Sequence, residues 1–374
     1  MTNDAAYWLA WAQLPGIGPV LLKRLHHHFG SLAAAWQADP QELLAIEGIG
    51  AQLQSRVVQS RQRVDPQALL DQQQAQPERW WTPAHPDYPR LLFEIADPPP
   101  LLYYRGVVDE AEVRGQRSAI ALVGTRSPSD YGRRWTRRLS AALARQGFTV
   151  VSGLADGIDT DAHESCLEAG GRTIAVMGTG VDVVYPYRNR SLYHQIAKNG
   201  LILSEYSPGT SANRAHFPQR NRIVAGLCRA VVVLEAPVRS GALITARLAN
   251  EYGRDVYVLP GSLDNERALG CLGLINSGAQ VILSEGHLLE MLGGMPSLDP
   301  VQPVQTELFA APPPPDLEPG LQQVLAVITP EAAPFDLIVQ QAALPPGTVS
   351  SALLQLELLG LVTQQPGMRY QRCG

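Results

Sequence analysis

Apolar residues in this chain come in short β-branched runs separated by helix-length segments. Between residues 119 and 261 four runs end in glycine or another small residue: Ala119-Ile-Ala-Leu-Val-Gly124, Phe148-Thr-Val-Val-Ser-Gly153, Thr173-Ile-Ala-Val-Met-Gly178 and Asp255-Val-Tyr-Val-Leu-Pro-Gly261. A fifth, Ala230-Val-Val-Val-Leu-Glu235, ends in a carboxylate. Runs of this kind predict a parallel sheet with helices on both faces, an α/β core. Helices are expected over 129–146, 160–169, 190–198, 219–227 and 243–252, and a last strand near 280–283. In such a sheet the ligand crevice lies outside the carboxyl ends of the strands. Glycine there lets backbone N–H groups approach an anion, and the helix that follows favours negative charge at its start. The pattern therefore predicts a phosphate-binding rim built from several loops.

The flanks read differently. Leu14-Pro-Gly-Ile-Gly-Pro19 and Ile46-Glu-Gly-Ile-Gly-Ala51 each precede a helical pattern, and their glycines at 16 and 48 lie 32 residues apart. A Gly-Ile-Gly turn between two helices is a helix-hairpin-helix signature, so residues 1–78 are expected to form a helical, SAM-like domain carrying two copies. His26, His27 and His28 are consecutive and cannot share a helix face; they read as surface residues, not a metal site. Residues 79–293 hold the sheet, entered through a proline-rich lead-in with one early strand. Residues 294–320, with Pro312-Pro-Pro-Pro315, read as an extended linker. Beyond it, 321–328, 335–343 and 348–359 read as helices and 361–364 with 369–371 as a hairpin, a winged helix over 321–374. Its last helix carries no Lys or Arg. Phosphate neutralisation supplies most non-specific DNA affinity, so this domain reads as a protein-contact module.

Composition narrows the class. The chain has 374 residues, 45% of them hydrophobic and 17% charged, with a net charge of −5. That describes a multidomain globular protein. No apolar run approaches the roughly 18 residues of a membrane span, and Met1-Thr-Asn-Asp shows no secretory pattern. Cys166, Cys228, Cys271 and Cys373 form no C-x-x-C pair. Neither a zinc site nor a disulfide framework is expected, and a reducing cytoplasm fits. With an acidic total, any polyanion site must concentrate its arginines in one place.

Five segments carry candidate chemistry. Arg126, at the end of the first core run, can fork onto a phosphate. Arg133, Arg134, Arg137 and Arg138 follow at helical spacing, as a basic stripe or as a solvated face. Asp159 and Asp159-plus-four, His163, form either an acid–base pair or a structural hydrogen bond; with no nucleophile or metal partner apparent the structural reading is preferred. Tyr185 and Tyr187 interleave with Arg188 and Arg190, an arrangement suited to stacking bases and neutralising phosphates of a single strand, unless the tyrosines are core. Phe217-Pro-Gln-Arg-Asn-Arg222 is the densest cluster, and Ser240 and Gly241 open another anion cradle.

These segments, in order, resemble the DprA (Smf) family of bacterial DNA-processing proteins over residues 80–292. The residues that carry the resemblance are Gly124-Thr-Arg126, Ser152-Gly-Leu-Ala, Gly157-Ile-Asp159, His163, Tyr185-Pro186, Ser204-Glu205, Phe217-Pro-Gln-Arg-Asn-Arg222, Ser240-Gly-Ala-Leu-Ile-Thr245 and Pro260-Gly261. The resemblance implies an extended Rossmann fold, a homodimer, and sequence-independent binding of single-stranded DNA onto which RecA is loaded during natural transformation. It implies no catalysis, cofactor or metal. The implied pocket comprises Arg126, the Ser152-Gly153 turn, Gly178, Arg220, Asn221, Arg222, Ser240 and Gly241. Relatives often carry lysine directly after the Tyr-Pro pair. Here Tyr187 holds that place, and Arg188 is the expected substitute cation.

Two other classes compete. A nucleotide phosphoribohydrolase of related fold would need Pro-Gly-Gly-x-Gly-Thr followed closely by glutamate, whereas this chain reads Arg239-Ser-Gly-Ala-Leu-Ile-Thr-Ala-Arg247 with no glutamate before Glu251. A dinucleotide-dependent oxidoreductase would need G-x-G-x-x-G after the first strand, where Gly124-Thr-Arg-Ser-Pro-Ser stands instead.

Overall fold

A computed structural model describes residues 4–293, 317–329, 333–359, 361–365 and 368–372. They fall into two compact units, one within 1–300 and one within 301–374.

The first unit begins with helices α1 (Asp4–Ala12), α2 (Pro19–Phe29), α3 (Leu32–Gln37), α4 (Ala51–Arg61) and α5 (Pro66–Gln74). The two Gly-Ile-Gly turns end on Gly18 and Gly50, which start α2 and α4 in extended conformation. Their packing is reciprocal. A Cβ on Gly16 would meet Leu53, and one on Gly48 would meet Leu21. These pairs are offset by the same 32 residues, so the sequence repeat is also a structural one. Ile17 and Ile49 of the turns join a core with Trp8, Trp11, Leu22, Leu25 and Leu43. The Lys23 ammonium donates to the carbonyls of Glu94 and Ile95, both at 2.6 Å, tying α2 to the lead-in of the sheet. His26 departs from the surface reading. It is half-buried between the rings of Trp8 and Phe93, at 5.6 and 5.5 Å, while His27 and His28 are exposed.

The sheet has nine strands in the order β1-β2-β6-β5-β4-β3-β7-β8-β9. The parallel part contains β3 (Ala119–Val123), β4 (Thr149–Ser152), β5 (Thr173–Val176), β6 (Leu201–Ser204), β7 (Ala230–Val233), β8 (Asp255–Val258) and β9 (Gln280–Val281). On the β6 side, β2 (Leu102–Gly106) and β1 (Arg79–Trp81) add antiparallel. The lead-in thus supplies two strands where one was expected, and β6 is a strand that the apolar runs did not announce. The helices are α6 (Arg90–Glu94), α7 (Glu110–Val113), α8 (Asp130–Arg145), α9 (Ile158–Glu168), α10 (Arg190–Asn199), α11 (His216–Leu227), α12 (Gly241–Glu251), α13 (Leu269–Asn276) and α14 (Glu285–Gly293).

Strands β3 to β7 are buried on both faces, as near-continuous apolar runs require. One face packs against residues of α6, α11, α12 and α13, the other against α8, α9 and α14. Chain order runs outward from β3 through β4 and β5 to β6, then returns to β7 on the other side of β3. The loops leaving β3 and β7 therefore diverge, and a crevice opens between them at the carboxyl edge.

The second unit contains α15 (Pro319–Ala326), β10 (Ala333–Pro334), α16 (Phe335–Ala342), α17 (Pro346–Leu358), β11 (Val362–Gln365) and β12 (Arg369–Arg372), the strands ordered β10-β12-β11. It is a winged helix, with one strand more than the expected hairpin. Most of the proposed linker, and Cys373, lie outside the described residues.

Candidate nucleic-acid interface

At the divergence of β3 and β7 lies a cleft of about 680 Å³. Its walls come from the β3 loop (Gly124, Thr125, Arg126), the β4 loop (Gly153, Ala155), α11 and the start of α12. From α11 it takes Pro218 together with Phe217, Arg220, Asn221 and Val224, the last four spaced i, i+3, i+4, i+7 along one helix face.

Arg126 is exposed, with its guanidinium carbon 5.3 Å from the centre of the Phe217 ring. Among the described residues no carboxylate pairs with it. The same ring lies 5.5 Å from that of Tyr185, so Arg126, Phe217 and Tyr185 form a layered edge. Tyr185 is 44% exposed and presents a free face rather than serving as core. Gly178 lies behind this edge, where a Cβ would meet the Phe217 ring at 2.9 Å.

Arg220 forms the floor. It is buried, and its Nη1 donates to the Gly153 carbonyl at 2.7 Å and to the Val176 carbonyl. A side chain at 153 would run into this guanidinium at 2.4 Å, which explains the glycine. Burial lowers the Arg220 pKa from its ordinary value, opposed by the charge of Asp159. Asp159 is buried too, and burial raises its pKa while Arg220 pulls the other way. Its carboxylate accepts from the N–H groups of Gly153 (3.1 Å) and Ala155 (3.3 Å). Gly157, at φ 79°, passes so close to the backbone of Thr125 and Arg126 that a Cβ would stand 2.5 Å away. The β4 loop is thereby fixed against the β3 loop.

Of the helices that begin at this edge, α8, α9 and α12 are not equivalent. At the start of α8 the Glu235 carboxylate accepts from the Ser129 N–H and hydroxyl, both at 2.7 Å, and from Asn265 at 2.9 Å. At α9, Asp159 and Asp161 lie in the first turn. At α12 the first turn has no acidic residue. Ser240 caps it by accepting from the Ala242 N–H, and a Cβ on Gly241 would stand in open space. No acceptor among the described residues meets the Gly241 N–H. The expected rim of several anion-binding loops is corrected accordingly: two helix starts already hold the protein's own carboxylates, and α12 alone of the three is open. Asn221 supports it by donating to the Gly241 carbonyl at 3.1 Å.

Three expected pocket residues stand elsewhere. Ser152 is buried, its hydroxyl donating to the Leu122 carbonyl at 2.7 Å. Arg222 points off the opposite side of α11. It pairs with Glu205, donates to the Asp97 carbonyl at 2.9 Å and approaches the Asp97 carboxylate at 3.5 Å. Residues two apart on a helix face different ways, so Arg220 and Arg222 cannot share the cleft. Arg188 is exposed and pairs with Asp156. In their place the cleft receives Arg214 and Arg239, both exposed. The lining then holds four arginines, Arg126, Arg214, Arg220 and Arg239, against one carboxylate, Asp159.

The remaining candidates are structural. His163 is fully buried, and burial holds its pKa at about 3. The Thr173 hydroxyl donates to Val150, so it accepts from His163 Nδ1, which is therefore the protonated nitrogen of a neutral ring. The basic stripe on α8 is largely paired: Arg133 and Arg137 bind the buried Asp161 at 3.1 and 2.7 Å, and Arg138 stacks on Trp135 at 4.6 Å. Among the described residues no group of His, Cys, Asp and Glu is arranged to hold a metal ion, and no helix is long and apolar enough to cross a membrane.

Residues 79–293 match the model of a family described as DNA recombination-mediator protein A. The chain belongs to this DprA/Smf family. Residues 310–368 match the DprA winged helix domain and residues 12–63 a SAM-like helix-hairpin-helix tandem. The chain is 52% identical to protein Smf of Synechocystis, covering 99% of each chain. Among solved structures it is similar to DprA of Streptococcus pneumoniae, at 36% identity and a TM-score of 0.64, covering 78% of this chain and 98% of that one. It is also similar to DprA of Helicobacter pylori, whose single-stranded DNA binding mode has been described, at 33% identity and a TM-score of 0.52, covering 57% and 95%. Among DprA/Smf members this chain thus has the α/β core with both appended domains.

Proposed function

We propose that this protein binds single-stranded DNA, without sequence preference and without catalysis, in the cleft between β3 and β7. It shields the strand and passes it to RecA, and it works as a homodimer. The observation that carries this reading is the charge arrangement of the cleft. Four arginines and the unfilled start of α12 converge there, while the one lining carboxylate is held by Gly153 and Ala155. Phosphates meet guanidinium and backbone N–H groups, and bases find the exposed face of Tyr185, backed by the Phe217 ring. A groove of this kind reads the backbone and not the bases, which suits a mediator that must accept any strand.

The hydrolase reading has no support in the cleft. Its lining offers no carboxylate besides Asp159, and Glu251 ends α12 far along the helix from Gly241.

The test is a titration of the full-length protein with oligothymidylate and with a duplex at several salt concentrations. If five or six phosphates are neutralised, log affinity falls against log salt with a slope near −4, from about −0.7 per phosphate on single strands. Arg126→Ala weakens binding and flattens the slope. Equal avidity for duplex and single strand overturns the reading. RecA assembly on the bound strand, and its absence with Arg126→Ala, tests the mediator step.

A further inference from the structure

We infer that the outer face of α8, together with a hollow beside Tyr131, is a docking surface for a protein partner that offers an apolar anchor side chain followed by carboxylates. The surface belongs to the sheet face opposite α11 and α12, apart from the single-strand cleft, and stands independently of that reading.

Tyr131, Arg134, Trp135 and Arg138 are spaced i, i+3, i+4, i+7 on α8 and so share one face. Ring and guanidinium alternate along it. The Arg134 guanidinium carbon stands 5.9 Å from the centre of the Tyr131 ring and that of Arg138 4.6 Å from the centre of Trp135, the two rings being 6.4 Å apart. A guanidinium laid on a ring keeps its N–H edge for a carboxylate and has little freedom left to lose. These charges are not used internally. Arg133 and Arg137 are spent on Asp161, whereas among the described residues no carboxylate pairs with the exposed Arg134. Arg138 and Arg145, also exposed, share Glu285 at 3.7 Å each, beyond hydrogen-bond distance. Three exposed guanidiniums therefore face one carboxylate.

At the start of α8 this face runs into a hollow of about 430 Å³ lined by Tyr131, Pro260, Gly261, Ser262 and Asn265. The Tyr131 hydroxyl donates to the Pro260 carbonyl at 3.0 Å, which fixes the ring as one wall. Leu263, from the same loop, is 80% exposed. Tyrosine, tryptophan and arginine around a hollow are the composition of protein-binding hot spots, and arginine clusters recognise acidic motifs. The same face is ill suited to a nucleic acid. Guanidiniums already cover the rings on which bases would stack, and the exposed Asp130, Asp264 and Glu266, next to the lining residues in sequence, repel a phosphate chain.

The experiment titrates the full chain, in excess oligothymidylate, with a fluorescent random copolymer of glutamate and tyrosine, and with polyglutamate as the anchor-free comparison. The copolymer binds roughly tenfold more tightly than polyglutamate, because only it can fill the hollow. The double variant Arg134→Glu with Arg138→Glu, two exposed positions, lowers copolymer affinity about thirtyfold, since attraction becomes repulsion. Its oligothymidylate affinity and salt slope stay as in the parent. Trp135→Ala lowers copolymer affinity about tenfold. Copolymer affinity unchanged in the double variant overturns the docking surface. A copolymer bound no better than polyglutamate overturns the hollow as its anchor site. An oligothymidylate salt slope reduced in the double variant by about 0.7 for each arginine assigns the face to nucleic acid and overturns the protein reading.

Discussion

The starts of α9 and α12 stand on the same edge of the same sheet, each after a parallel strand, yet they differ in what they hold. At α9 the chain supplies its own anion: Asp159 takes the N–H groups of Gly153 and Ala155 and faces Arg220. At α12 there is only Ser240, whose hydroxyl meets Ala242, and an unobstructed Gly241. A helix start is a binding site for an outside anion only where no internal one fills it. The α9 end organises the floor, and the α12 end is left for the ligand.

The sharpest way to break the comparison is to make α12 resemble α9. Gly241→Asp places a carboxylate where a Cβ has open space, at a helix position that favours it. Single-strand affinity is expected to fall roughly a hundredfold or more from like-charge repulsion. The melting transition should move little, since the charge at the helix start is worth about 1 kcal/mol or less. Unchanged affinity in a filter-binding assay would contradict an open α12 site.

The reverse change should act on stability first. Asp159→Asn leaves buried Arg220 without its opposing charge and is expected to cost about 3 kcal/mol in urea unfolding. Arg222→Ala should cost a similar amount, about 3 kcal/mol, because the half-buried Glu205 loses its partner and burial already raises its pKa. The two differ from Arg126→Ala in one readout: with Arg222→Ala the salt slope of binding stays that of the parent. A slope reduced by about 0.7 would place Arg222 on the DNA after all.

A smaller effect separates structure from chemistry in the α9 helix. His163 is held neutral, with a pKa near 3 against 6.5 for the free ring. The unfolded chain takes up a proton below about 6.5 that the folded chain refuses. This contribution is complete above 6.5 and is lost as pH falls toward about 3. His163→Asn should remove that part of the pH dependence of unfolding and leave DNA binding at neutral pH intact. The smallest effect concerns the winged helix. Its α17 carries no Lys or Arg, and deleting residues 294–374 should change single-strand affinity by less than about twofold, because only two basic residues, Arg369 and Arg372, are removed. A larger loss would show that this domain contacts DNA.

Much of this was legible in the residue pattern. The glycine-ended runs marked β3, β4, β5 and β8, and the segments between them marked the helices. β6 escaped because Leu201-Ile-Leu-Ser204 is brief, lacks β-branched valines and ends without glycine. The antiparallel β1 and β2 were hidden among prolines. In the cleft, Arg126, Gly153, Ser240 and Gly241 were marked by their place at strand ends and a helix start, and Arg220 and Asn221 by the dense Phe217–Arg222 cluster and the family resemblance. The sequence alone separates Arg222 from Arg220, since the two stand two apart in the expected helix 219–227 and face different ways. Arg188 could not have been judged in the same way, because its partner Asp156 lies on a different loop. Arg214 sits in an irregular loop, where no periodicity indicates direction.

The most direct measurement is the structure of the full-length protein bound to a short oligothymidylate. The account predicts a phosphate against the Gly241 N–H at the start of α12, flanked by Arg126 and Arg214, with a base over Tyr185 or Phe217. A strand lying along the start of α9, or outside the β3–β7 cleft, would contradict it.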